Sequence, residues 1–341
     1  MVNPPTRTNQ KNYPRRKSRQ GGHFILFYRI IWTSILGIFI IIMGVSCGGP
    51  LPPNDPFNLA EAKDNLARGN HWYLRGCHNE ALKYFNSGVV FARLADNVPY
   101  LIMSLNAKGA SEMALKQYKQ SAETLVMAWQ KSLAEPGNPG LPAILGNLGA
   151  LELLLGNRAE AEEFFLRGLS AATEQRENPA PFLASLARLA LTQNNNSQFE
   201  TYLNQARESL DLPDTSNDAR ADILNLLATQ SLKDGDLFNA SLLISEALEL
   251  DRAAEDTKGI IADLLLLSEI ETLNNSPERA YQSLDRAFYL AVSQKDTEKI
   301  RLILDRLKQS HTNHNLPLNL SNYNHLAQNP SLFDPFAEIC P

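Results

Sequence analysis

Small residues return at a fixed interval along most of this chain, and that recurrence limits the fold more than any other feature. Residues 145–168 serve as the reference: Gly149, Ala161 and Gly168 stand in order around the turn Gly156-Asn157. Five further copies align with it. The middle residue becomes Ala81, Ser121, Ala161, Phe199, Ala240 and Ala280, at spacings of 40, 40, 38, 41 and 40 residues. Twelve positions earlier stand Gly69, Gly109, Gly149, Ala187, Ala228 and Ser268; seven positions later stand Gly88, Ala128, Gly168, Ala206, Ala247 and Ala287. Where two helices cross closely, a side chain larger than a methyl group holds the backbones apart. A recurring small residue therefore marks a recurring crossing, and a period between about 20 and 50 residues marks a repeat architecture.

Large apolar residues fill the positions between. Leu105, Leu145, Leu183, Leu224 and Leu264 share one site; Phe85, Leu125, Phe165, Leu203, Ile244 and Leu284 share another. The spacing is helical, and no alternating strand pattern occurs. The combination Leu145-x-x-Leu148-Gly149 in one helix and Ala161-x-x-x-Phe165 in the next resembles the tetratricopeptide repeat. The resemblance covers residues 58–295. It implies an all-α, right-handed α-solenoid of about six helix-turn-helix repeats, each ~40 residues long, plus a capping helix. Two departures stand out: the period exceeds the usual ~34 residues, and the aromatic residue expected three after the glycine appears only as Trp72. A HEAT-like solenoid is nearer in period, but the grid of small residues fits the tetratricopeptide pattern better.

Turn chemistry places the boundaries. Gly76, Gly156-Asn157, Gly235-Asp236 and the run Asn194-Asn195-Asn196-Ser197 close hairpins, because Gly and Asn reach left-handed backbone cheaply. Ser276-Pro277-Glu278 reads as a helix start, and Pro99 and Pro142 open first helices in the same way. Residues 296–310 form an amphipathic capping helix, with Ile300, Ile303, Leu304 and Leu307 on one face. An Asn-rich tail, 311–341, follows, either mobile or extended along the groove.

The N-terminus carries an export signal. Residues 30–47 hold no charge, and as a helix they rise about 27 Å, close to the bilayer core. Residues 1–46 carry seven Lys and Arg and no acid; against a net charge of −5 this leaves −12 on residues 47–341. The basic flank places everything after the apolar segment outside the cytoplasm. The segment 1–46 is thus a signal peptide or membrane segment. Its end, Gly44-Val45-Ser46-Cys47, resembles the lipobox of bacterial lipoproteins, which implies lipidation of Cys47; Gly44 departs from the Leu that the family prefers. Residues 47–57 form a Pro/Gly tether. An uncleaved anchor and plain cleavage after Ser46 are the alternatives. Gly48 stands where enteric lipoproteins carry the inner-membrane retention Asp, so the resemblance implies a periplasm-facing protein on the outer rather than the inner membrane.

The search for chemistry yields little. No phosphate loop, nucleophile elbow, H-E-x-x-H or EF-hand pattern occurs. An acidic body without a basic stripe argues against nucleic acid as a partner. His71, Cys77 and His78 are the best metal or thiol candidates, but no fourth ligand is evident, so no cofactor and no enzymatic activity are expected. Cys77 and Cys340 can pair in an oxidising compartment.

What remains is the concave surface that the resemblance implies, lined by first helices. Asn106, Met113, Asn147, Arg188 and Asn225, with Ala110, are the groove candidates. Asn side chains there offer a peptide backbone both a donor and an acceptor. The expectation is a scaffold that holds another envelope protein or a peptide segment in its groove and a lipid membrane through its anchor. A self-associating structural role and a thiol- or metal-dependent enzyme are the alternatives.

Overall fold

A computed structural model describes residues 55–212, 214–314 and 320–330. The expected export signal, Cys47 and most of the expected tether lie outside the described residues. Among the described residues there are fourteen α-helices and no strand. The first twelve form six antiparallel hairpins: α1 (Phe57–Leu74) with α2 (His78–Leu94), α3 (Val98–Ala114) with α4 (Tyr118–Ala134), α5 (Leu141–Leu155) with α6 (Arg158–Gln175), α7 (Ala180–Thr192) with α8 (Asn196–Glu208), α9 (Asn217–Lys233) with α10 (Leu237–Ala254), and α11 (Thr257–Leu273) with α12 (Pro277–Ser293). Helices α13 (Thr297–His314) and α14 (Leu320–Gln328) follow.

Each hairpin turns through one residue in left-handed backbone: Gly76, Lys116, Gly156, Asn194, Gly235 and Asn275. Their intervals repeat those of the small-residue grid. Three are glycine, which takes a positive φ without strain; Lys116 takes it because helices α3 and α4, anchored on either side, leave no other path. Helix starts are capped locally. Asn97, Asn195, Ser216, Asp236 and Asp256 each accept a backbone N–H from the first turn that follows. Ser276 sits at the N-cap of α12, but its hydroxyl caps no backbone N–H of that helix.

The small residues have two distinct jobs. In a first helix, the small residue receives the large apolar side chain of its own second helix: Phe85 lies over Gly69, Leu125 over Gly109 and Phe165 over Gly149. In a second helix, the later small residue receives the next repeat, as Phe182 of α7 lies on Gly168 and Ser104 of α3 on Gly88. Sizes are matched across the first kind of crossing. Phe stands only over Gly; where the first-helix residue grows to Ala187, Ala228 or Ser268, its partner is Leu203, Ile244 or Leu284. All of these residues are buried. Ser121 further ties one crossing by donating to the Gly109 carbonyl at 2.8 Å.

First helices of neighbouring repeats pack side by side, α1 on α3, α3 on α5, α7 on α9 and α9 on α11. Second helices make no comparable contact with one another. The first helices therefore line the inner wall, and the second helices form the outer one.

The end of the array is more ordered than an Asn-rich composition suggests. Helix α13 continues to His314, and residues 320–328 form a helix instead of an extended segment. One side chain explains the docking. Tyr323, 5% exposed, packs its ring edge-on against Phe288 at 4.9 Å. Its hydroxyl meets that of Tyr281 at 3.1 Å and donates to Asp285. Tyr323→Phe is expected to lower stability by about 1–2 kcal/mol in denaturant titrations, because it leaves the Asp285 carboxylate without its donor while keeping the ring.

Candidate functional site: the concave wall and its closing contact

The inner wall carries a ladder of polar pairs, each joining one first helix to the next. Asn147 on α5 donates its amide to Asn106 Oδ1 on α3 at 2.8 Å. Arg188 on α7 pairs with Asp222 on α9 at 2.6 Å. Asn225 on α9 donates to Asp263 Oδ1 on α11 at 2.7 Å. Asn106, Asn147, Arg188 and Asn225 thus each join neighbouring first helices, but they differ in what they have left to offer. Asn106 and Asn147 are half-buried, and after pairing they retain the Asn106 amide protons and the Asn147 carbonyl. Arg188 remains 44% exposed. Met113 is half-buried and packs on the core beneath α3 and α5, and Ala110 is buried. Asn225 is only 9% exposed and is spent on Asp263, so it ties repeats together below the surface.

Beneath that last rung is a pair of buried carboxyls. Asp263 is 1% exposed and Asp251, on α10, is 4% exposed. Burial pushes both above the ordinary range: Asp251 to about 8, with the neighbouring carboxylates adding to it, and Asp263 to about 6, with the Asn225 hydrogen bond pulling it back. Gly259 makes room for the Asp251 carboxyl, since a Cβ there would strike it. Asp218 and Asp222 are raised as well: Asp218 by burial and then by Asp256 and Asp222, and Asp222 by burial, with Arg188 pulling it back. The signal for this cluster is present in the sequence: Asp263 is the lone charge within the apolar run 260–267. A buried charge in such a run needs a partner.

A second feature was not foreseen. The turn of the first hairpin touches loops some 180 residues away. Arg75 pairs with Glu255 through both carboxylate oxygens, Nη2 to Oε1 at 3.0 Å. Lys258 stands 5.6 Å from the centre of the Tyr73 ring, and the Gln294 amide fills the space beside Gly76. The array thus returns upon itself in about five repeats.

This contact also defines the surroundings of His71, Cys77 and His78. His71 is exposed, with its ring against Trp72. His78 lies beside Tyr73, and burial together with Lys258 lowers its pKa to about 3. Cys77 is 4% exposed and disulfide-bonded. Cys340, the partner considered from the sequence, lies outside the described residues. Among the described residues, no three His, Cys, Asp or Glu side chains come together as a metal site.

No family model matches the sequence, and no curated protein does. Solved structures match in fold. A chain of the APC/C hetero-tetramer Cut9–Hcn1 superposes with a TM-score of 0.53 at 13% identity, over 84% of this chain and 56% of that one. PilF of Pseudomonas aeruginosa gives 0.41 at 14% identity, over 66% of this chain and 96% of that one. The TPR2AB domain of yeast Sti1, in its pHSP90 complex, gives 0.30 at 18% identity, over 74% and 99%. At such identities the likeness is one of fold, and this chain spans little more than half of the Cut9–Hcn1 chain. By fold, the protein is an α-solenoid of tetratricopeptide type.

Proposed function

We propose that this chain is a membrane-anchored interaction scaffold of the bacterial cell envelope, which holds an extended segment of another envelope protein along its inner wall. One observation carries the reading: the Asn106–Asn147 pair. Its hydrogen bond fixes both amides, yet leaves a donor on one and an acceptor on the other, half-open on the concave side. A peptide backbone presents the complementary pair of groups at every residue. Fixed amides lose little side-chain entropy on binding, so such a wall grips main chain with little demand on sequence. The fold supports the same reading, for Cut9, the nearest in TM-score of the three structures above, assembles with Hcn1.

Anchoring follows from the lipobox-like end at Cys47 and the tether behind it. Two acyl chains on Cys47 hold a protein stably, whereas one is marginal at about 0.8 kcal/mol per buried CH₂. The basic flank and Gly48 support a periplasm-facing position on the outer membrane.

The test uses the full chain in cells, with Asn147→p-benzoylphenylalanine as a photo-crosslinker on the inner wall. Irradiation is expected to give a discrete adduct with one envelope protein, mapped to a short extended peptide. The same crosslinker on the outer wall, at exposed Glu163, is expected to give none. Equal or absent adducts at both positions would overturn the groove reading. Cys47→Ala is expected to abolish acyl labelling and release the chain from membranes. Retention of that variant in the membrane would favour an uncleaved anchor.

A further inference from the structure

We infer that the outer face of the first repeat rests on a lipid surface; the inference builds on the anchoring proposed above. Large apolar side chains exposed on the outer wall are unevenly spread. Val90 and Leu94 on α2, Val126, Met127 and Leu133 on α4, and Leu166 on α6 are all exposed. On α8, α10 and α12, only Phe238 and Leu242 match them among the described residues. The apolar outer wall therefore belongs to the end of the array that joins the anchor.

Four apolar side chains gather at one corner of that end. Val90 and Leu94, one helical turn apart, are 53% and 62% exposed. Phe57, the first residue of α1, is 71% exposed and packs edge-on against Phe91 at 6.2 Å. Asn58 ties the start of α1 to the Leu94 carbonyl at 3.5 Å, so the corner keeps its shape. Arg93, exposed between Val90 and Leu94, adds a cation that anionic headgroups attract.

Chain length selects the occupant. Residues 48–54 are all that separate Cys47 from Asp55. Fully extended, this link spans about 30 Å. With Cys47 acylated in the bilayer, the chain keeps Phe57 within about 35 Å of the headgroups. Exposed apolar area held so near an interface gains free energy by entering it, and the tether removes most of the entropic cost of getting there. The closed side of the array faces the other way: the turn of the first hairpin lies at the opposite end of α1 and α2 from Phe57 and Leu94. Docking at the corner thus leaves the Arg75–Glu255 contact undisturbed.

The experiment uses the full acylated chain in vesicles of phosphatidylethanolamine and phosphatidylglycerol. Leu94→p-benzoylphenylalanine is compared with Phe238→p-benzoylphenylalanine, both at exposed positions where the label disturbs no core. Irradiation is expected to give lipid adducts at position 94 at about ten times the yield at position 238, the ratio that burying one apolar side chain supports. Val90→Glu in the same chain is expected to bring the yield at 94 down to that at 238. If the chain floats with the vesicles but the two yields are equal, docking is overturned and anchoring stands. Adducts at 94 between two protein copies in place of lipid would overturn it as well. A chain that does not float overturns anchoring and docking together.

Discussion

Gly149→Ala is expected to destabilise the array by about 2 kcal/mol, although alanine is the better helix former. In an exposed helix the exchange would gain up to ~1 kcal/mol. Here the new Cβ would stand 2.6 Å from Phe165 Cε1, 2.7 Å from Cδ1 and 3.1 Å from Cζ. The ring is 3% exposed and closed in by Ala161, Ala172 and Leu186, so it has nowhere to turn. Overpacking of this kind costs about 1–3 kcal/mol and occasionally more, which outweighs the helical gain. The repeats themselves suggest the cure. Repeat four solves the same crossing with Ala187 and Leu203. Adding Phe165→Leu to Gly149→Ala is therefore expected to recover at least ~1 kcal/mol over the sum of the single effects, read from urea unfolding midpoints. Additivity within ~0.5 kcal/mol would show that the two residues do not compete for one space.

The second large effect concerns pH. The wild-type chain is expected to lose stability as pH rises from the ordinary carboxylate range through about 8, and Asp251→Asn to abolish most of that loss. The sign follows from where the proton is held. The folded pKa of Asp251 lies above its unfolded value, so folding favours the protonated form. Its contribution is complete below the unfolded value and vanishes as pH climbs through the folded one. Ionisation of the second carboxyl leaves two adjacent buried charges, with Asp222 and Asp256 adding repulsion. The groups that oppose it are Asn225, which hydrogen-bonds Asp263, and the more distant Arg188. An asparagine at 251 keeps a donor for Asp263 without a titrating proton. The gain at pH 9 is expected at about 2–4 kcal/mol, with little change at pH 5. Thermal unfolding of both chains across that range decides it. His78 works in the opposite direction. Its folded pKa is depressed, so its contribution is present above ~6.5 and is lost as pH falls toward 3.

The hairpins were legible because their determinants are local and periodic. Glycine and asparagine at turns, small residues at crossings and leucines between them recur at one spacing, and each copy confirms the rest. Even so, the size matching of Gly149 with Phe165 against Ala187 with Leu203 stands openly in the sequence and means nothing until the two positions are known to touch. Lys116 as a left-handed turn residue has no sequence signature, since only the geometry of its neighbours requires it. Helical phase puts Asn106, Asn147, Arg188 and Asn225 on first helices, where each meets the next first helix. Their partners were not legible. That Asn225 sinks below the surface against Asp263 while the Asn106–Asn147 pair stays half-open depends on the offset between adjacent repeats. Asp251 and Asp263 come together from different hairpins. The pairing of Arg75 with Glu255 depends on the curvature summed over five repeats, where small errors in each crossing angle accumulate.

That contact changes what kind of object the array is. A string of hairpins in which each touches only its neighbours can fray from either end, and its stability is close to a sum of local terms. Here the first turn leans on the fifth and sixth repeats, so the amino-terminal hairpin is guarded from two sides. Fraying at one end must break a contact at the other, and a loop closed over 180 residues adds non-local order to a fold otherwise built from short-range ones. A chain has ends at which to come undone; a hoop has none.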